Sequence, residues 1–436
     1  MSISQPLFAK AVKGYISFTG DPVSIFAHVE PTQSGFVQAQ AAIAALNALG
    51  GVPGHSPAIQ GALENARLHL DLGNTQDTLH VEAASAWARG DMQEAATLWE
   101  QALHHQPDDI LALRLAHDTH FFLGALEKLR DVPQMVLPAY APDSPYYGFI
   151  CGMAAFGLEE TGAYAKAEEA GRAAVERNEG DSWAIHAVAH VLEMQGRLQD
   201  GIGWMRGLAS RWQAANLLAV HQWWHFCLYL IEASEVDEVL AIYDAHIQAN
   251  PASFMLDLVD AASLLWRLEL ARVDVGSRWQ DLAGYCAQHV QEHVLAFNDL
   301  HISLALTGAG DQQGADDLEF SLKAYIERET GTNVKVSETL GLPIIKALRA
   351  FRRQDYQQVV TLLRPVYKKL APVGGSNAQR DLIIQTLGIA ALLAGDIELA
   401  LDVACERRRL KSGIPRAWTG YAALHSTDSH AHLSPP

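Results

Sequence analysis

The sequence is poor in cysteine, in basic residues and in long apolar runs. It has four cysteines in 436 residues and no CxxC pair, so neither a zinc ribbon, a thioredoxin-type site nor a disulfide framework is predicted. Lys and Arg number 32 against 50 Asp and Glu, a formal net charge of −18. We therefore expect no nucleic acid and no anionic membrane surface as a partner, because both repel an acidic protein.

Membrane-spanning and secretory patterns are also lacking. No uncharged apolar run reaches the roughly 18 residues that a transmembrane helix requires, and the first 21 residues contain no apolar stretch of signal-peptide form. The sequence therefore predicts a cytoplasmic location.

Strand patterns are scarce, whereas Ala- and Leu-rich stretches with apolar residues at i, i+3 and i+4 recur along the chain. Hydrophobic residues make up 49% of the sequence, which is enough for a large buried core. This pattern predicts an all-α protein. A repeat array would absorb the whole length without several separate domains.

One repeat signature stands in the segment WARGDMQEAATLWEQALHHQPDD. Gly90 is followed five residues later by Ala95, and Trp99, Ala102 and Pro107 come 4, 7 and 12 residues after Ala95. Small residues where two helices cross, an aromatic between them and a proline after the helix are typical of the tetratricopeptide repeat.

The same offsets recur four more times, and one pair of glycines is 34 residues apart, the period of this repeat. We predict an all-α, irregular tetratricopeptide-like helical-hairpin solenoid with right-handed superhelical curvature and a concave groove lined by the first helix of each hairpin. The residues concerned are Gly162, Ala167 and Ala174; Gly196; Val239, Tyr243 and Pro251; and Gly395, Ala400 and Ala404.

The chain divides, by this pattern, into three parts. Residues 1–76 fit the repeat poorly and are predicted to form an N-terminal helical cap, residues 77–424 the solenoid, and residues 425–436 a frayed polar tail. Glycine and proline cluster at residues 50–54, which predicts a loop inside the cap.

Two HxxxH pairs are the most specific chemical feature. His186, His190 and Glu193 fall on one helical face, and His221 with His225 repeats the four-residue spacing on the next first helix. We expect both pairs to face the groove, where imidazoles serve as acids, bases or metal ligands. The alternative is hydrogen-bonded core histidines. The metalloprotease motif HExxH is absent, so no metal is assigned to these residues, although HxxxH with a carboxylate is zincin-like spacing and keeps a metal site as an alternative.

A second candidate is a pair of carboxylates in an otherwise apolar helix. Asp257 and Asp260 are three residues apart and could orient an imidazole. The alternative is a helix cap or an ion pair to Arg267 or Arg272.

Two further segments combine polar residues in apolar surroundings. Asn298, Asp299 and His301 lie in HVLAFNDLHISLAL. Asn377 and Arg380 follow two glycines in VGGSNAQRD, where free backbone N–H groups and a guanidinium would hold an anion. The alternative is a capped helix with Arg380 bound to a protein carboxylate.

At these residues the sequence resembles the tetratricopeptide repeat protein 38 family. The resemblance is specific over residues 111–395 and loose before residue 100. It implies an irregular helical solenoid and supplies neither a reaction nor a role for any residue. The motifs that carry it are HAVAHVLEMQG, WWHFCLYLIE, IYDAHI, MLDLVDAASLLWRLEL, RWQDL, HVLAFNDLH and GGSNAQRD.

Three functions remain open, and whether the protein is an enzyme is undecided. The favoured hypothesis is a groove site that binds a small anionic molecule, on which its residues could act by acid–base chemistry without a cofactor. The catalytic candidates are His186, His190, His221, His225, Asp257, Asp260 and His301, and the substrate-binding candidates are Trp224, Asn298, Asp299, Asn377 and Arg380.

The alternatives are a non-catalytic repeat scaffold for a peptide or protein, and a metal-dependent hydrolase using the two HxxxH pairs. A small anionic molecule is expected in preference to a peptide, because the predicted groove helices are poor in the Lys and Arg that clamp acidic peptide tails. The oligomeric state is not predicted.

Overall fold

The computed structural model describes residues 7–71, 74–419 and 421. Every regular element within these residues is helical, and no β-strand occurs among them. The fold is therefore all-α, as the sequence predicts. The predicted tail at residues 425–436 lies outside the described residues.

The first half of the chain alternates helices with short turns, which is the local pattern of helical hairpins. Its helices are α1 (Leu7–Ser17), α2 (Pro22–Ala27), α3 (Phe36–Leu49), α4 (Pro57–Leu68), α5 (Thr75–Ala88), α6 (Met92–His105), α7 (Ile110–Leu123), α8 (Leu126–Val136), α9 (Tyr147–Glu160), α10 (Tyr164–Arg177), α11 (Ser182–Met194) and α12 (Leu198–Gly207).

The second half continues in the same way, with several short 3₁₀ and π turns between the helices. Its helices are α13 (Ala209–Trp212), α14 (Ala219–Ala233), α15 (Val236–Ile242), α16 (Met255–Leu270), α17 (Arg278–Cys286), α18 (Ala296–Gly308), α19 (Gln312–Arg328), α20 (Thr332–Val336), α21 (Leu342–Arg352), α22 (Tyr356–Leu363), α23 (Asn377–Leu393) and α24 (Ile397–Leu410).

The chain forms two compact units, and neither is continuous in sequence. We call them the first unit and the second unit. The predicted division at residues 76 and 424 stays a prediction. The first unit is Met1–Val191, Trp204–Gln222 and Arg328–Val336; the second unit is Leu192–Gly203, Trp223–Glu327 and Ser337–Pro436.

The hairpin of α5 and α6 in the first unit shows why the repeat residues have their spacing. Gly90 joins the two helices at φ +79°, a left-handed conformation that favours glycine. Ala95, Trp99 and Ala102 are fully buried on the face of α6 that packs against its neighbours. Pro107 follows two residues after α6 ends. The tetratricopeptide-like hairpin is confirmed here, and α9 packs against α10 in the same way.

In the second unit, α16 packs against both α18 and α23, and α23 against α24. The Trp266 Nε1–H on α16 donates to Thr386 Oγ1 on α23 at 3.0 Å, so a buried polar group fixes the relation between the two helices. In the part of the chain that the structure describes, no helix combines the length and the apolar character needed to cross a membrane.

Candidate functional site

Three of the predicted histidines lie together in the first unit. His186 and His190 are one turn apart on α11, with their Nε2 atoms 3.1 Å from each other. His221 comes from the first turn of α14, and its ring centroid is 5.0 Å from that of His186. One ring nitrogen from each of the three lies within 4.8 Å of the others. We call these three residues the histidine cluster.

Two carboxylates at the end of α9 stand behind this cluster. Glu159 Oε2 is 3.3 Å from His190 Nδ1, and Glu160 Oε1 is 3.9 Å from the same nitrogen. Both side chains are fully buried. His190 thus has a carboxylate at one ring nitrogen and a second imidazole at the other. The charge of the nearby carboxylate favours a proton on the ring nitrogen that faces it.

Aromatic rings enclose the cluster within the first unit. Trp183 stacks on His186 at a centroid distance of 4.7 Å, and Phe156 stacks on the same imidazole at 5.5 Å. Phe156 also meets His190 edge to face at 5.3 Å. The rings of His186 and His190 are buried, so the expected histidine-rich open groove is not confirmed.

The fourth histidine of the HxxxH pairs, His225, belongs to the second unit and has its own carboxylate. Its Nδ1 lies 3.1 Å from Glu193 Oε2. Glu193 Oε1 accepts from Lys411 Nζ at 2.5 Å. The Trp224 ring stands edge-on to His225 at 4.7 Å. The predicted residues His225, Glu193 and Trp224 are therefore adjacent in the second unit.

A buried ion pair continues this polar network. Arg407 on α24 binds Asp381 on α23 through two hydrogen bonds of 2.7 and 2.9 Å, and Lys411 Nζ is 3.8 Å from Asp381 Oδ2. Burial acts to raise the pKa of Asp381, but Arg407 and Lys411 outweigh it and hold that pKa at about 2. The carboxylate is thus ionised at any ordinary pH.

Arg267 on α16 is bonded differently from Arg407. Its guanidinium donates to Ser263 Oγ, to Ala378 O at 2.7 Å and to Gln379 O at 3.2 Å, all neutral acceptors. The Trp224 ring lies 5.1 Å below it. Burial lowers the pKa of Arg267 to about 10, although nearby carboxylates act to raise it. Arg267 is a buried cation that the protein compensates only in part.

Arg267, Arg407 and Lys411 line one pocket of about 200 Å³ in the second unit. Its apolar wall includes Leu192 and Leu228. Basic and apolar groups therefore meet in one small cavity, in which a carboxylate and a hydrophobic side chain would both find partners.

Asp257 and Asp260 have different structural roles. Asp257 lies in the first turn of α16 and accepts from the Phe254 backbone N–H at 2.8 Å, which makes it a helix cap. Asp260 is buried, and its charge acts on Arg267 to raise the pKa of the guanidinium. Neither aspartate is shown to orient an imidazole.

The residues from α18 are buried and locally engaged. Asp299 pairs with His293 Nδ1 at 3.2 Å, and burial raises the pKa of Asp299 in spite of that partner. His301 Nδ1 bonds to Phe297 O at 2.7 Å, and burial lowers the pKa of His301 to about 3. His301 is therefore a neutral imidazole at neutral pH. Asn298, which precedes Asp299 in the sequence, is also buried.

The predicted anion site at the start of α23 is filled by the protein itself. Arg380 donates to the Gly375 carbonyl and to Asn377 Oδ1 at 2.7 Å. Ser376 and Gln379 form a reciprocal capping box, which takes up backbone N–H groups that an anion would bind. Arg380 and Asn377 thus stabilise the helix start.

Sequence reasoning missed several residues of these two sites. Glu159 and Glu160 stand in an ordinary-looking LEETG turn, and Arg407 in a run of three arginines that suggests a solvated face. The sequence analysis considered Arg267 only as a possible ion-pair partner of Asp257 or Asp260. Lys411 has no local signal at all. Each is buried, and only packing with distant segments makes it so.

Comparison with known proteins adds little to this geometry. No family model matches the chain, so membership of the tetratricopeptide repeat protein 38 family is not confirmed. Among solved structures, yeast Tom70 is similar at 12% identity, over 86% of this chain and 92% of the Tom70 chain, with a TM-score of 0.27.

The expectation that a small anionic molecule is favoured over a peptide is wrong. Arg380, which was expected to bind the anion, already donates hydrogen bonds to Gly375 and Asn377. The side chain that was to hold the anion is therefore part of a helix cap.

Proposed function

We propose that the protein is a non-catalytic helical-repeat scaffold that binds the carboxyl terminus of a partner polypeptide in the pocket of the second unit. The observation that carries the proposal is Arg267, a buried guanidinium that donates hydrogen bonds to the neutral oxygens of Ser263, Ala378 and Gln379. Membership of the tetratricopeptide repeat protein 38 family is part of this proposal and rests on the long sequence motifs.

The charges around the pocket favour a carboxylate. Arg407 and Lys411 have carboxylate partners in Asp381 and Glu193, whereas Arg267 has hydroxyl and carbonyl partners. A buried cation of this kind gains much from an ionised acceptor, because charge-assisted hydrogen bonds are about twice as strong as neutral ones.

The size of the pocket favours the carboxyl-terminal residue of a polypeptide as the ligand. Pockets for whole drug-sized molecules measure about 300–1,000 Å³, and this one has a volume of about 200 Å³. Leu192, Leu228 and Ile231 line it beside the cations. One apolar side chain and an adjacent carboxylate match this combination, and backbone carboxylate capture is a recurrent mode of peptide recognition.

Acidic groups at the pocket argue for a terminal carboxylate over an acidic peptide tail. Glu193 and Glu232 also line it, and they would repel a run of Asp and Glu. A single terminal carboxylate can approach Arg267 while neutral residues before it pass these two acids.

Selection from a displayed library of random C-terminal peptides tests the proposal. We expect the full chain to enrich sequences with an apolar last residue, and the amide form of an enriched peptide to bind at least about tenfold more weakly in fluorescence anisotropy. Failure to enrich any C-terminal pattern, or equal binding of acid and amide, would refute a carboxylate pocket.

Two variants locate the site. Arg267→Met replaces the cation with an apolar side chain, and it breaks no hydrogen-bonded ion pair because Arg267 donates to neutral oxygens. Ala271→Trp narrows the pocket without changing its charge, since Ala271 is one of the lining residues. Both should lose binding while retaining helical circular dichroism. Arg278→Met, which removes a partly exposed pair with Asp244, is the matched control and should bind as the wild type does.

A further inference from the structure

We infer that the first unit binds one divalent transition-metal ion through His186, His190 and His221. Three imidazoles are a ligand set that suits Zn²⁺ and related ions. They come from the parts of α11 and α14 that belong to the first unit, and they present nitrogens within 4.8 Å of one another. The site is independent of the peptide pocket, which lies in the second unit.

The nitrogen geometry fits a metal. Ligands at the Zn–N distance of about 2.0–2.1 Å and at tetrahedral angles are about 3.3 Å apart. The Nε2 atoms of His186 and His190 are 3.1 Å apart. Their separation is thus close to the edge of a zinc coordination tetrahedron.

The carboxylate behind His190 is the second observation. A histidine that binds a metal through one ring nitrogen usually donates its other N–H to a carboxylate or carbonyl. Glu159 Oε2 lies 3.3 Å from His190 Nδ1, so its negative charge favours the tautomer with the proton on Nδ1 and the Nε2 lone pair toward His186. Glu159 therefore positions a ligand.

Charge supports the same assignment. Glu159 and Glu160 are fully buried at the end of α9, and buried carboxylates need compensating positive charge. Burial raises the pKa of Tyr164 well above its usual range, and the negative charges of Glu159 and Glu160 raise it further. A bound dication would offset the charge of both carboxylates at once.

The structure also offers the ion a route to the histidine cluster and holds the three ligands in place. His221 is the one partly exposed member of the histidine cluster, so an ion can enter from its side. Gln222 Nε2 donates to Ser182 O at 2.9 Å and ties the first turn of α14 to the first turn of α11. The three imidazoles are therefore held by helices that are joined to each other.

The test uses the full chain after chelator treatment, titrated with Zn²⁺ by calorimetry and with Co²⁺ by visible absorption. We expect one equivalent of Zn²⁺ to bind, and Co²⁺ to give the intense bands of a tetrahedral nitrogen site. Absence of saturable binding at one equivalent overturns the inference.

Variants separate this site from adventitious binding. We expect His190→Ala and His221→Ala to abolish the Co²⁺ bands, and Glu159→Gln to weaken Zn²⁺ binding roughly 10–100-fold, as for other residues that orient metal ligands. Since His221 is partly exposed, its variant keeps the test valid even if His190→Ala does not fold. Unchanged binding by His221→Ala refutes the site.

His80→Ala is the matched control. His80 is another buried imidazole of the first unit with a carboxylate partner, Asp109 at 2.8 Å. It is not part of the histidine cluster. Its variant should bind Zn²⁺ as the wild type does, and an equal loss in His80→Ala and His190→Ala would assign the effect to stability alone.

Discussion

Arg407 and Asp381 form a buried two-bond ion pair between α24 and α23, with hydrogen bonds of 2.7 and 2.9 Å. The pair joins a helix near the end of the described chain to a core helix of the second unit. Because its charges are out of water, its loss has a very different cost from the loss of a surface pair.

The first prediction concerns this pair. Arg407→Met leaves the Asp381 carboxylate buried with only part of its compensation, and should lower the free energy of unfolding by about 3–5 kcal/mol. Urea denaturation measures the change. Arg89→Met removes an exposed pair with Glu94 in which the side chains are 59% and 49% exposed, and should have no measurable effect. Equal effects of the two variants would contradict the prediction.

The second prediction concerns pH. Burial raises the pKa of Asp181 to about 7, although its bond from the Ala184 N–H opposes the rise. The unfolded carboxyl titrates near its ordinary value of about 4. Between these values the folded state holds the extra proton, so this group makes stability fall as pH rises from about 4 to about 7.

Asp181→Asn keeps the helix cap to Ala184 and removes the titration. We expect it to flatten that part of the stability profile and to stabilise the protein at pH 7.5 but not at pH 4, as measured by thermal unfolding across pH. Asp200→Asn, at a carboxylate that is 58% exposed, is the control. A profile that Asp181→Asn leaves unchanged would show that this carboxyl does not hold its proton.

The third prediction concerns the docking of α1 in the first unit. The Tyr15 hydroxyl donates to Asp118 at 2.5 Å, and Arg114 binds the same carboxylate at 2.8 Å. Tyr15→Phe should cost about 1.5–3 kcal/mol, since the lost hydrogen bond is to a charged acceptor. Chemical denaturation checks this. Tyr285→Phe, at a partly exposed ring, should be neutral, and a neutral Tyr15→Phe would mean that the hydroxyl contributes nothing.

The fourth prediction contrasts two glycines of the first unit. A Cβ on Gly54 would lie 1.7 Å from Ala88 O, whereas one on Gly61 would meet nothing within 4 Å. Gly54→Ala should destabilise by about 1–3 kcal/mol through overpacking against backbone. Gly61→Ala, within α4, should stabilise by roughly 0.5–1 kcal/mol. Thermal unfolding of both variants measures the contrast, and changes of the same sign would contradict it.

Much of the fold could be predicted from the sequence, because helical hairpins are specified locally. Gly90, Gly162 and Gly395 mark hairpin turns, and all three have positive φ angles near +76 to +79°. The loop expected at residues 50–54 contains Gly54, but the reason for that glycine, the approach of Ala88 O, has no counterpart in the local sequence.

The residues of the two candidate sites could be predicted from the sequence only in part. The HxxxH spacing places His186 and His190 on one face of a helix by geometry alone. That Glu159 lies behind His190 depends on the packing of α9 against later helices. The anion site expected at Arg380 is not found for a related reason: the long, flexible side chain turns back and donates to the backbone carbonyl of Gly375.

The sequence by itself determined the helices, the turns between them and which side chains share a face, since these depend on residues within one or two turns. Tertiary structure alone decided which charges are buried, which partners they have and which cations remain only partly compensated, as at Arg267. Those properties depend on contacts between different helices, which for Arg267 and Ala378 are 111 residues apart in sequence, and on the energy of removing polar groups from water.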